Sequence, residues 1–267
     1  MFTSTRISKS GFFIILLSYF IFSLFLIFGD KSLLYKITKE DGIIEYLGAF
    51  FLFLTSLLLF LTCFFYLRKN NKTRYQKIIF IFFALAFFLA AGEEISWGQR
   101  VFDFKTPQYL KTINDQNEIN LHNIDKKFSE RLYQHAITLF IIFCTSMFFL
   151  KKSCFWNITM PDVFTIYSFM LIPFCTRYDR IQTEYFIGSM LIFLFLSHYF
   201  LKHKYKMFFV TLLTILVMSL IAIIHYNYIH KLWLNGAAEY REYMFSFICF
   251  IYALYLFLTY KEKNLLC

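Results

Sequence analysis

Ile78-Ile-Phe-Ile-Phe-Phe-Ala-Leu-Ala-Phe-Phe-Leu-Ala-Ala-Gly-Glu-Glu-Ile-Ser-Trp-Gly-Gln-Arg100 begins as pure hydrocarbon and ends in charge. Two adjacent carboxylates, Glu93 and Glu94, stand where an apolar helix leaves a bilayer. An ionisable group costs roughly 2.5–3.5 kcal/mol near the membrane centre, so such residues need partners and are functional candidates. On a continuous helix Glu93, Trp97 and Arg100 fall at i, i+4 and i+7, which brings an acid, an indole donor and a guanidinium to one face. Glu94 then points elsewhere and needs a partner of its own. A salt bridge that locks the helix end is the plain alternative, although one acid would suffice for it.

The rest of the chain repeats this alternation. Its 267 residues are 59% hydrophobic and 23% aromatic, with a mean hydropathy of +0.56, far above a soluble domain of that length. The composition predicts an all-α, polytopic helical membrane protein. No polar stretch is long enough for a second core, so residues 1–267 read as a single transmembrane domain. With 39 Phe against 8 Gly and 3 Pro, the spans are bulky. The six cysteines lie mostly in or beside apolar runs without paired spacing, which predicts small core residues rather than a disulfide framework or zinc site.

About eight spans follow: Gly11 to Gly29, Ile43 to Leu67, Ile78 to Ala91, Leu132 to Leu150, a shorter Val163 to Cys175, Thr183 to Leu201, Met207 to Ile224 and Glu239 to Tyr260. The first lacks a small-x-small cleavage site and reads as an uncleaved span. Residues 93–131 form one long polar segment between the third and fourth spans. Within it Thr106-Pro107 predicts a short helix over Gln108 to Ile113.

A net charge of +10 would suit nucleic acid, but the basic residues sit in short clusters between apolar runs, which orients membrane helices instead. Connections 68–77, 151–162 and 202–206 are rich in Lys and Arg. By the positive-inside rule they are cytoplasmic, and so are both termini. Of the 17 acidic residues only Asp162 and Glu262 fall on that side. The polar outer face is therefore the expected place of function. High Phe, Ile, Lys, Asn and Tyr usage fits an AT-rich bacterial genome, hence a bacterial cytoplasmic membrane.

Four further groups of residues belong to that face. Asp41 and Glu45 stand one turn apart at the mouth of the second span. Glu45 is followed by Gly48 and Ala49, which let a neighbouring helix approach; first-turn acids favoured by the helix dipole are the alternative. Asn114 to Asn123 is dense in amides and carboxylates around His122, a candidate base or metal ligand, or else a solvated loop with capping asparagines. His135 reads as a hydrogen-bonded core histidine. Arg177, Arg180 and Glu184 share a face at i, i+3 and i+7, where two guanidinium forks suit a phosphate or carboxylate, or neutralise Glu184, Glu93 or Glu45. His225, His230, Asn235, Glu239, Arg241 and Glu242 surround the entry to the last span. Glu239 and Glu242 at i and i+3, with Ser246 a turn beyond, predict a polar stripe into the bundle, and only a weak metal signal.

The strings Glu-Asp-Gly-Ile-Ile-Glu-Tyr (40–46), Gly-Glu-Glu-Ile-Ser-Trp-Gly-Gln-Arg (92–100), Thr-Pro (106–107) and Asn-Leu-His-Asn (120–123) together resemble an uncharacterised bacterial family of multipass membrane proteins. The resemblance covers mainly the first half and brings no activity with it. Intramembrane CAAX-type proteases use Glu-Glu-x-x-x-Arg, whereas Arg100 lies six positions after Glu94. Alkaline-ceramidase-like hydrolases carry a terminal His-x3-His that is absent here.

The expectation is thus an enzyme acting on a lipid or lipid-linked head group by hydrolysis or transfer. Glu93, Glu94, His122 and Glu239 are the catalytic candidates. Arg100, Arg177, Arg180, Glu184, Glu45, Trp97 and Asn123 are the substrate-binding candidates. Glu94, His122, Glu239 and Glu242 are candidate ligands for a divalent metal. Membrane lipids are the expected partners and nucleic acid is not. A proton- or cation-coupled transporter and a membrane scaffold are the alternatives.

Overall fold

The computed structural model describes residues 2–39, 42–67, 74–114, 119–120, 124–156, 158–175, 182–232 and 236–263. Among them run α1 (Phe2–Phe28), α2 (Lys31–Thr38), α3 (Ile43–Thr62), α4 (Arg74–Glu94), α5 (Gln99–Phe102), α6 (Gln108–Ile113), α7 (Lys126–Phe149), α8 (Val163–Leu171), α9 (Gln182–Leu201), α10 (Tyr205–Leu232) and α11 (Gly236–Lys263). A small antiparallel hairpin pairs β1 (Cys154–Phe155) with β2 (Ile158–Thr159). Seven of these helical stretches are long and apolar enough to cross a membrane, and the apolar helix Val163–Phe174 is shorter. The protein is an all-α polytopic membrane protein, with the expected short fifth element.

Contacts at the two ends of the bundle give the direction of each helix. His135 of α7 meets Glu184 of α9, while Phe148 and Phe149 meet Phe195 and His198 at the other end, so α7 and α9 run parallel. The intervening segment therefore returns across the bundle although α8 is short. Phe22 stacks on Tyr240 with ring centroids 3.7 Å apart, and Gly11 abuts Ile251, so α1 opposes α11. Cys63 faces Lys77 and Ser56 Oγ donates to the Ala84 carbonyl at 2.7 Å, so α3 opposes α4. Glu45, Glu94, Tyr133, Glu184 and Glu242 all belong to one end. Ser8, Gln76, Asp162 and Tyr260 belong to the other, where the Lys- and Arg-rich connections lie.

α11 packs chiefly on α3, and α3 on α4. At Gly48 an added Cβ would sit 3.5 Å from the Tyr243 Cα, so α3 and α11 approach closely just below Glu45, as the small residues predict. The core is largely aromatic, with Phe12, Tyr19, Tyr167 and Phe195 fully buried. α8 is buried on every side from Thr165 to Leu171, as befits a helix apolar all round. Its N-terminus is capped by Asp162, whose carboxylate accepts from the Thr165 N–H at 3.0 Å and from the Ser8 hydroxyl of α1. With its final 3-10 turn Ile172–Cys175, α8 rises only about 20 Å, short of a hydrocarbon layer of about 30 Å.

One expectation is overturned: Cys154 is disulfide-bonded. Cysteine spacing carries no pairing information when the partners are joined by folding rather than by sequence. Cys63, Cys144 and Cys249 are free and buried, which agrees with small core residues.

Candidate functional site: a carboxylate and arginine cluster under a polar cap

The shared helical face proposed for Glu93, Trp97 and Arg100 does not form, because α4 stops at Glu94. Ser96, Trp97 and Gly98 then take φ of 46°, 57° and 77°, a left-handed turn that costs roughly 1–2 kcal/mol at each residue bearing a Cβ. The turn folds Trp97 back over Gly92, where an added Cβ would lie 2.8 Å from the indole. Trp97 Nε1 still donates to Glu93 Oε1, at 2.8 Å. The predicted partnership survives on a different backbone. The Arg100 side chain lies outside the described residues.

Buried amides hold this turn in place. Asn120 Nδ2 donates to Ser96 Oγ at 2.9 Å, and Asn114 Nδ2 donates to the Asn120 carbonyl and Oδ1 at 2.8 and 2.9 Å. Gln99 spans the same segment: its Nε2 donates to Thr106 Oγ1 at 2.6 Å and its Oε1 accepts the Ile119 N–H at 2.7 Å. All five polar side chains, Ser96, Gln99, Thr106, Asn114 and Asn120, are buried. Asn114 and Asn120 are therefore not solvated, although Asn114 does stand at the C-cap of α6. A buried network with its members paired favours a single geometry over the helix ends.

Below this cap the carboxylates converge. Glu94 interacts electrostatically with Glu242 of α11, Glu45 of α3 and its neighbour Glu93. Arg241, only 3% exposed, donates from a terminal guanidinium nitrogen to Glu242 Oε1 at 3.1 Å and lies 5.5 Å from the centre of the Tyr133 ring. Tyr133 feels the charges of Arg241, Glu242 and Glu94, and its hydroxyl is buried without a hydrogen-bond partner among the described residues. A narrow crevice adjoins the cluster, lined by Tyr133, Gln134, Thr138, Pro173, Glu184 and Arg241 among others. Glu184 is buried there, and His135 Nδ1 approaches its Oε1 at 3.3 Å from an exposed side chain. His135 is therefore a surface partner of a buried acid rather than a core histidine: its position in the first turns of α7 leaves the ring at the bundle edge.

The structure thus brings Glu45, Glu93, Glu94 and Glu242 into one electrostatic group, with Trp97 beside it and Glu184 at the crevice. Glu239 is half-buried one turn before Glu242 on α11. Ser246 Oγ donates to the Glu242 carbonyl, at 2.8 Å, and so bonds back onto its own helix rather than extending a stripe of charge. Asp41, His122, Asn123, Arg177, Arg180 and Asn235, and the side chains of His225 and His230, lie outside the described residues. Among the described residues no group of three or more His, Cys, Asp or Glu side chains is placed to hold a metal; the expected ligand set required His122.

Sequence reasoning gave Arg241 no role, although its signal was present: an arginine in the second turn of an otherwise apolar helix, flanked by Glu239 and Glu242. Tyr133 and Gln134 carried no signal, because one aromatic and one amide at a span entrance resemble any interfacial pair. Chemically, carboxylates gathered beside a buried guanidinium are suited to hold a proton, a cation or a cationic ligand. The same acids are suited to accept a proton from a hydroxyl or water.

Comparison of the chain with protein-family models, with characterised proteins and with solved structures finds no match.

Proposed function

We propose that this protein is a membrane enzyme that works at head-group depth on a lipid or lipid-linked substrate. The observation that carries this reading is the convergence of Glu45, Glu94 and Glu242, from three helices, with the buried Arg241 paired to Glu242 beside a crevice. Glu94, with Glu93 beside it, is the proton acceptor; Arg241, held by Glu242, orients an anionic group of the substrate; the Tyr133 hydroxyl, without a partner among the described residues, is a donor to it. Purified protein in nanodiscs built from a total polar lipid extract should generate a changed head group detectable by mass spectrometry. Glu94→Gln should lower that turnover by two orders of magnitude or more while the far-ultraviolet dichroism stays unchanged, in line with the ~10²–10⁴-fold typical of general-base catalysis. An inert wild-type protein, or full turnover by the variant, rejects the reading.

A proton- or cation-coupled transporter is the second reading, and α8 favours it. A half-length, fully buried helix that ends at Pro173 beside Arg241 and Glu184 resembles the discontinuous helices that carry transport sites. Uptake of protons into proteoliposomes, followed by a trapped pH dye and abolished by Glu94→Gln, would select it over the enzyme.

The charge distribution supports the reading that the carboxylate end faces the outside of a bacterial cytoplasmic membrane. The Cys154 disulfide at the opposite end argues the other way, because disulfides persist in oxidising compartments. Charge bias acts during insertion, and we take it as the stronger guide. In a variant with Lys204→Cys, a membrane-impermeant maleimide added to intact cells should label only after permeabilisation. Labelling before permeabilisation reverses the orientation.

A further inference from the structure

Residues 97–111 lie beyond the spanning helices, yet they present bulk hydrocarbon. Trp97, Phe102, Phe104 and Tyr109 are 44%, 67%, 56% and 73% exposed. Such exposure in a mobile loop would mean little. Here the backbone is fixed from beneath by the Gln99 bridge to Thr106 and Ile119 and by the Ser96 to Asn120 bond. Asp103, left-handed with φ 53°, turns the chain so that the Phe102 and Phe104 rings stack 5.7 Å apart. The short helix α6 then carries Tyr109 on its exposed side, with Leu110 half-buried. Gln99 and Thr106 thus turn inward to the network while the rings turn outward beside the charged side chains of the segment.

Aromatic rings partition to the boundary between hydrocarbon and head groups, and an amphipathic segment flanked by cations lies flat in that boundary. Lys105 and Lys111 are both exposed beside the rings, and the exposed acid Asp103 lies between Phe102 and Phe104. Basic side chains near a bilayer draw anionic head groups. We propose that residues 97–111 form an interfacial platform seated in the bilayer around the protein, with Phe102, Phe104 and Tyr109 in the upper acyl region and Lys105 and Lys111 on the phosphates of anionic phospholipid. The platform places the carboxylate and arginine cluster at head-group depth. Its existence does not depend on the chemistry of that cluster.

The test uses the full-length chain with Trp156→Phe, Trp233→Phe and Phe104→Trp, so that both remaining indoles report from the segment. The protein is reconstituted in vesicles of phosphatidylethanolamine and phosphatidylglycerol. Fluorescence should be quenched by phospholipids brominated in the upper acyl chain and little by aqueous iodide. Quenching by iodide and not by brominated lipid would overturn the platform. Should Phe104→Trp disturb the fold, Tyr109→Trp in the same background gives the same reading. Brominated phosphatidylglycerol should quench several-fold better than brominated phosphatidylcholine, and Lys105→Glu with Lys111→Glu should remove that preference. Equal quenching by the two lipids with both lysines present overturns the assignment of the anionic partner.

Discussion

Arg241→Leu should destabilise the folded protein by about 1.5–3 kcal/mol, because it removes a charge-assisted bond and leaves the partly exposed Glu242 carboxylate without its counter-charge. The guanidinium is 3% exposed and bonded to Glu242, with Glu94 within electrostatic reach of that carboxylate and Glu45 within reach of Glu94. Removing this buried cation leaves Glu94 and Glu242 facing one another without it. The substitution also ends the contact with the Tyr133 ring, worth up to about 2 kcal/mol when desolvated. Adding Glu242→Gln should recover much of the loss, because the charge left behind is the main cost. Thermal unfolding of the single and double variants in the same detergent measures both. A single variant as stable as the parent would show that Arg241 is solvated.

The second large effect lies in the cap. Asn120→Ala removes the donor to Ser96 Oγ and the Oδ1 acceptor of Asn114, all between buried groups. Each buried polar group deprived of its partner costs about 1–3 kcal/mol, so the local stability of the segment should fall by roughly 2–4 kcal/mol. The left-handed turn at Ser96 and Trp97 is held against its own strain by this network, so it should relax when the network is cut. Hydrogen exchange should rise over residues 96–120 while the amides of α3 and α11 keep their protection. Exchange rising equally through the bundle would mean that the cap is no separate unit.

The bundle was legible in the sequence because bilayer spanning imposes length and apolarity residue by residue. The eight apolar runs, the shortness of the fifth and the close approach at Gly48 all follow from composition read locally. Segregation of acids to one end was equally visible, since Asp162 is the described acid that caps a helix at the other end. The geometry around Trp97 was not. Helical spacing correctly paired it with Glu93, but the left-handed turn depends on Asn114, Asn120 and Gln99 reaching across up to 24 positions, a condition local pattern does not encode. Gly98 hinted at it, being a residue that accepts positive φ freely. Arg241 was given no role because Tyr133, whose ring it meets, lies on another helix and is adjacent only after folding. The Cys154 disulfide escaped for the same reason.

The account stands on acids from separate helices sharing one site at one end of the bundle. Disulfide trapping tests this most directly, with Glu45→Cys and Glu242→Cys in one protein and Glu45→Cys and Glu262→Cys in another. Under mild oxidation in native membranes the first pair should cross-link readily and the second should not. Failure of the first pair, or equal cross-linking of both, would contradict the shared site.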